Sequence, residues 1–474
     1  MTLHIPFDNS FADLPDAFYA RQSPQPVSAP ALLAYNSALG EQLGIERSEG
    51  DASLMAELFA GNRTPDGADP LAQVYAGHQF GNFSPRLGDG RAVLLGEVVD
   101  RRGERVDIQL KGSGQTPFSR MGDGRAWLGP VLREYIVSEA MHALGIPTTR
   151  ALAAVSTGDL VYREQGPLPG AVLTRVAKSH LRIGTFQYFA ARQDVDNLRR
   201  LTDYAISRHA PEAQSPRDLL AAVIAEQAKL IAQWMGVGFI HGVMNTDNTS
   251  ISGETIDYGP CAFMDDFHPA RVYSSIDRQG RYAYQNQPDI IVWNIAQLAS
   301  ALLALEPDQD GAVRAYTETV HAMPGLIREA WADVFAAKLG ITHRRDEDAG
   351  LASEWITLMA NQGADFTNAF RALEGDRVDT SFGDEAPLQD WLARWRGRIA
   401  GEPDPAALMR RSNPAIIPRN HRIEAMIAAA VGGDMGPFET LRAALASPFE
   451  PPADPGLTAP PRPEEEVHAT FCGT

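Results

Sequence analysis

A lysine, two glutamates and a cluster of oxygen-bearing side chains stand in an order that could hold a polyphosphate. Lys111 ends an alternating strand, and Glu134 and Glu139 follow on a stretch with helical spacing. A strand ammonium paired with a helix carboxylate is a fixed cation suited to phosphate oxygens. Spacing alone does not choose between the two glutamates. Further on come His241-Gly-Val-Met-Asn-Thr-Asp-Asn248 and Asp257-Tyr-Gly259. Asn248 and Asp257 offer hard oxygen ligands, which suit Mg²⁺ or Mn²⁺ beside phosphates rather than zinc. Asp247 adds a carboxylate able to accept a proton.

The downstream elements follow the order of a protein-kinase active centre, with one substitution that matters. A kinase catalytic loop reads H-R-D-x-x-x-x-N, with Asp as base and Asn on the metal. Counted from His241, the asparagine falls at Asn248, but Val243 occupies the base position. Valine cannot accept a proton, and Asp247 is the nearest carboxylate able to replace it. Asp257-Tyr-Gly259 stands where D-F-G stands in kinases. Glycine pairs at Gly77-His-Gln-Phe-Gly81, Leu87-Gly-Asp-Gly-Arg91 and Met121-Gly-Asp-Gly-Arg125 lie where loops covering phosphates are expected. Arg175 and Arg182 sit on the connection to the second half, at the level where guanidinium groups could clamp a polyphosphate.

These residues need a scaffold, and the patterning predicts one. Residues 92–99 and 106–111 read as strands joined by a charged turn. Residues 130–144 read as a helix with proline at its start and Leu132, Ile136, Ala140 and Leu144 on one face. Strands are expected near 152–156, 160–162 and 171–176, then an amphipathic helix over 218–235. Two brief strands, 249–251 and 255–256, are expected to flank a turn at Gly253. After Pro288 the pattern is almost entirely helical to about residue 446. The expected fold is therefore α+β, a bilobal kinase-like arrangement. Its parts are an N-terminal extension (1–70), a nucleotide-binding lobe (71–180), a helical lobe with the catalytic loop and metal ligands (181–446) and a flexible tail (447–474).

Bulk composition narrows the partners. The chain has 474 residues, 44% of them apolar, and a formal charge of -18. That charge argues against general nucleic-acid binding, which needs a positive surface. Between Arg101 and Arg182, twelve Lys/Arg face seven Asp/Glu, a locally basic stretch that fits a small polyanion. No signal segment is expected at the start. The apolar run near 290–305 contains Asn294 and Gln297 and is expected to be too short for a bilayer, which points to a cytoplasmic protein with no membrane partner. The two cysteines, Cys261 and Cys472, cannot build a zinc site but could form one bond. A reversible Cys261–Cys472 disulfide is one expectation, and a buried Cys261 with an unpaired tail thiol is the other.

The long motifs resemble the selenoprotein O family. They are Gly-His-Gln-Phe-Gly-Asn-Phe (77–83), Leu-Gly-Asp-Gly-Arg-Ala (87–92), Gln-Leu-Lys-Gly-Ser-Gly-Gln-Thr-Pro-Phe-Ser-Arg (109–120), His-Gly-Val-Met-Asn-Thr-Asp-Asn (241–248) and Thr-Ile-Asp-Tyr-Gly-Pro (255–260). The resemblance implies a pseudokinase that transfers AMP from ATP, or UMP from UTP, to hydroxyls of protein substrates, with the nucleotide flipped so that the α-phosphorus is open to attack. It implies nucleotide contacts from Gly88, Gly90, Arg91, Lys111, Asp123, Gly124, Arg175, Arg182 and Asp257, with Glu134 as partner of Lys111. It further implies Asp247 as general base, and Asn248 and Asp257 as ligands of Mg²⁺ or Mn²⁺. Some animal members carry selenocysteine near the C-terminus, where this chain has Cys472. Two rival readings use the same residues: an ATP-dependent phosphotransferase, and a non-catalytic ATP-binding scaffold.

Overall fold

A computed structural model describes residues 3–47, 51–375 and 385–471. The first part of the chain builds an antiparallel sheet. Its path runs through Tyr19–Arg21, Leu71–Gln73, Ala92–Val99, Arg105–Lys111, Gly166–Ala177, Arg150–Arg163 and Ala31–Tyr35, and Ala126–Trp127 pairs with Gly166–Ala177. The segment expected as an extension thus supplies strands at both edges. The inner strand Ala92–Val99 is a near-continuous apolar run, with seven of its eight residues buried. The expected strands near 152–156 and 160–162 are one strand, Arg150–Arg163, with an irregularity between Ser156 and Leu160.

The helix Leu128–Ala143 packs against strands Arg150–Arg163 and Gly166–Ala177. Helices Asn420–Val431 and Gly436–Leu445 also pack on it. With partners from several directions it lacks a wide polar stripe. Further along, Ser215 caps the helix Pro216–Gly236 by accepting from Asp218 N, and Pro216 presets its first turn. That helix lies against Gln287–Leu302 and the 30-residue helix Gln309–Lys338. A separate core cluster there includes Trp355, Trp391 and Trp395, stacked in series at 4.5 and 5.7 Å between ring centroids.

Three expectations change. Residues 249–251 and 255–256 do not pair with each other. Ser250 bridges Arg182 and Thr255 bridges Thr148, so these residues join the two halves instead of forming a hairpin. The short strands of this region are Phe239–Ile240 and Ala262–Phe263. The apolar run is longer than expected: Tyr284–Leu305, 22 residues, meets the length and hydropathy of a membrane span, yet half of its most apolar stretch is buried in the protein and its helix packs on Pro216–Gly236 and Gln309–Lys338. Finally, the described part of the tail, 447–471, is docked. Thr458 O accepts from Arg419 at 2.9 Å, Gly456 O accepts from Arg422 at 2.7 Å, and Thr470 donates from its hydroxyl to Pro260 O at 2.6 Å.

Candidate active site

The elements just described converge three cations on one carboxylate. Lys111, at the end of its strand, places Nζ 2.6 Å from Glu134 and 2.7 Å from Asp257. Arg175, on the neighbouring strand, reaches Asp257 at 2.7 Å, Glu134 at 3.3 Å and Gln109 Oε1 at 2.7 Å. Arg182 donates to Asp257 at 3.2 Å and to the main-chain oxygen of Asp247 at 2.8 Å, with its guanidinium 4.5 Å from the centre of the Tyr75 ring. Glu139 is elsewhere, bound to Arg150 and Asn36. Five helical positions turn by about 140°, so the two glutamates cannot face the same lysine.

Asp257 adopts a left-handed backbone conformation, φ +64°, one of the few sites where a residue other than glycine does so. Burial alone would raise its pKa, but Lys111, Arg175 and Arg182 together hold it well below the usual carboxylate range. Two other carboxyls respond in the opposite sense. Asp89, between Gly88 and Gly90, is fully buried, accepts from Gln73 N and Gln109 Nε2 at 3.1 Å each, and burial pushes its pKa up to about 6 against the pull of Arg182. Burial likewise pushes Asp247 up to about 6, opposed by the Gln79 hydrogen bond and by Arg182.

Asp247 sits in the turn Thr246–Asn248. Its Oδ2 accepts from Gln79 Nε2 at 3.0 Å, while its buried Oδ1 has no hydrogen-bond partner among the described residues. The segment 77–84, expected where a phosphate-covering loop would lie, forms a small hairpin, Gly77–Gln79 with Asn82–Ser84, fastened to the Asp247 loop. His78 N donates to Thr246 Oγ1 at 2.7 Å, Phe80 N to Asn245 Oδ1 at 3.1 Å, and Tyr282 OH to the same oxygen at 2.6 Å. Gly77 permits this approach: a Cβ there would lie 2.7 Å from Asp247 Oδ1. His241 is buried and bridges to Ile256 O at 2.9 Å, which joins the loop to the segment carrying Asp257.

The remaining predicted residues divide. Asn248 donates from Nδ2 to Val243 O at 3.0 Å, a contact that leaves its carbonyl oxygen available as a ligand. Gly88 makes room for a ring, and Gly90 and Gly124 for backbone: a Cβ on Gly88 would meet the Phe118 ring at 2.5 Å, one on Gly90 the Phe118 oxygen at 2.8 Å, and one on Gly124 the Gly114 oxygen at 2.1 Å. The loops 87–91 and 113–125 therefore pack closely. Arg91 is half-buried and has no ion pair among the described residues. Asp123 is engaged outside the buried cluster, accepting from Arg163 at 2.8 Å and from Arg125 N at 2.9 Å. Cys261 is buried, and Cys472 lies outside the described residues. Gln79, Asp89, Gln109 and Tyr75 join the site without a sequence signal of their own. Gln79 and Asp89 stand inside glycine motifs whose spacing points to the glycines alone.

Asn248 and Asp257 fit a hard divalent ion only in part, since two oxygens leave most of the coordination sphere to phosphates and water. Among the described residues no group of three or more His, Cys, Asp or Glu could hold a metal alone. The arrangement as a whole offers a cationic cradle with a proton acceptor at its edge.

The sequence model of a family described as protein adenylyltransferase SelO matches residues 1–446. The chain is 62% identical over 475 residues to a protein nucleotidyltransferase YdiU of Ruegeria pomeroyi, covering 100% of both chains. It is 60% identical over 474 residues to the protein of that name in Roseobacter denitrificans and 58% identical over 492 residues to that of Bradyrhizobium sp. strain ORS 278, again over 100% of each chain.

Proposed function

This chain belongs to the SelO protein adenylyltransferase family and is a protein nucleotidyltransferase, and on that premise we propose that it transfers AMP from ATP, or UMP from UTP, to Ser, Thr or Tyr hydroxyls of other proteins. The sheet and the helical half act as two kinase-like lobes that hold the nucleotide between them. Lys111, Arg175 and Arg182 take phosphate oxygens, with Glu134 keeping the lysine in place, Arg91 adding a further cation and the glycines of 87–91 and 121–125 letting backbone approach. Asp123 steadies the second of these loops. Asn248 and Asp257 hold Mg²⁺ or Mn²⁺, which when bound offsets phosphate charge.

One observation carries this reading: Asp247 has a buried oxygen without a hydrogen-bond partner among the described residues, beside a cradle of three cations. That oxygen takes the proton of the acceptor hydroxyl. The hydroxyl oxygen then bonds to the α-phosphorus, the bond to the β-phosphate breaks, and pyrophosphate leaves. Val243, at the position of the usual kinase base, is buried and apolar and has no means of accepting a proton. The test is incubation with protein acceptors, metal and ATP labelled on either the α- or the γ-phosphate. Only the α label is expected to stay on protein. Retention of the γ label would establish a phosphotransferase instead, and nucleotide binding without either label a scaffold.

The hairpin yields a second test. Gly77→Ala places a methyl group 2.7 Å from Asp247 Oδ1 and 2.9 Å from its Cβ, so the base must move. Displacement of a catalytic group by about 1 Å can lower turnover by on the order of 10²-fold. Transfer is expected to fall on that scale with ATP affinity nearly unchanged, measured by label incorporation and nucleotide titration. Full turnover in this variant would separate the hairpin from the chemistry.

A further inference from the structure

We propose that Arg281 is an anion subsite for the acceptor protein, taking an Asp or Glu side chain a few residues from the hydroxyl that is modified. The inference rests on the transferase reading and concerns its substrate class. Most cations of the site are already matched: Lys111, Arg175 and Arg182 all pair with Asp257. Among the described residues Arg281 pairs with no carboxylate and its buried Nε has no hydrogen-bond partner, its one side-chain contact of this kind being with the neutral Tyr282 hydroxyl. The nearby Asp277 is engaged by backbone, accepting from Arg281 N at 2.9 Å and Tyr282 N at 2.7 Å.

The guanidinium is held by aromatic rings. Its Cζ lies 5.0 Å from the centre of Trp293 and 5.7 Å from that of Tyr282. A planar fork fixed on rings is pre-organised for a carboxylate, because little side-chain freedom remains to be lost. In a chain of formal charge -18, an oriented cation that has no carboxylate partner among the described residues selects for negative partners.

Its place decides which anion it meets. The phosphate cradle touches Asp247 at its main-chain oxygen, by way of Arg182, whereas the hairpin reaches the carboxylate itself through Gln79. The two sides of Asp247 are thus divided between nucleotide and hairpin. Arg281 stands on the hairpin side, with its Cζ 3.9 Å from where a Cβ on Gly81 would lie, and residues 81–83 are exposed. Gly81 follows Gln79 by two positions, at most ~7 Å of chain. An extended acceptor advances about 3.3 Å per residue, which puts the acidic side chain roughly two to four residues from the hydroxyl.

The test uses the full chain, metal, α-labelled ATP and a peptide set in which Asp, Ala or Lys is placed at each position flanking one Ser, Thr or Tyr. Wild type is expected to label the peptide with Asp at one such position roughly tenfold faster than its Ala counterpart. Arg281→Gln should bring that ratio close to one, and Arg281→Glu should shift the preference to Lys at the same position. A melting temperature checks that each variant is folded, and Arg281→Lys, which keeps the charge and loses the fork, should retain part of the preference. Wild type without an acidic preference, or Arg281→Gln with the preference intact, overturns the subsite. If no peptide of any sequence takes the label, the transferase reading fails and the subsite with it.

Discussion

Replacing Asp247 by alanine is expected to lower turnover by roughly 10²–10⁴-fold, the range a positioned general base contributes, while ATP affinity changes little. Affinity should persist because Lys111, Arg175 and Arg182 approach Asp257, and Arg182 touches only the main-chain oxygen of Asp247. Asp247→Asn is the sharper variant, since it keeps the shape of the side chain and removes its basicity. The pH dependence carries a sign. Asp247 must be ionised to accept a proton, and burial has pushed its pKa up to about 6. Turnover should therefore climb as pH rises through about 6 and level off above it. Label incorporation across pH 5 to about 8 reads this limb directly. Near-full turnover in Asp247→Asn would remove the residue from the role of base.

The second large effect is expected at Asp257, and it should appear in stability as well as in rate. Its carboxylate faces three cations, two of them buried arginines. Deleting one partner of a buried charged cluster costs about 3–5 kcal/mol, because the remaining charges lose their compensation. Asp257→Ala should thus melt at a lower temperature and lose metal-dependent transfer. Adding ATP should recover much of the stability, since a polyphosphate supplies the missing negative charge and binds only the folded chain. Asn248→Ala should weaken metal dependence more mildly, as a neutral ligand. Melting curves with and without ATP, combined with Mn²⁺ and Mg²⁺ titrations, separate these effects. Unaltered metal dependence in Asp257→Ala would take that residue out of the metal site.

Much of this site is legible in the sequence because its parts are local. The alternation before Lys111 and the helical spacing around Glu134 follow from near-neighbour periodicity. The choice between Glu134 and Glu139 is not legible, because it depends on the rotation of a helix against a sheet. The hairpin 77–84 escapes a sequence reading for a related reason: its contacts with 245–247 span 165 to 168 positions, and glycines in a loop look alike whether they cover phosphate or a protein side chain. Residues 249–251 and 255–256 carry strand-like side chains, yet their partners are Arg182 and Thr148, so tertiary contact overrides the local pattern. The tail has the composition of a free linker. Its docking depends on carbonyl oxygens that accept from Arg419 and Arg422, which composition does not encode.

The contact between Thr470 and Pro260 spans 210 positions, and this has a consequence for how the molecule is made. A ribosome adding about 5–20 residues per second would take on the order of 10–40 s to travel that distance. Throughout that interval the nascent chain already carries Asp247, Asn248 and Asp257 but lacks the residue that fastens the segment after them. Final closure of this part of the molecule therefore waits until Thr470 has been added, long after Pro260 has left the ribosome.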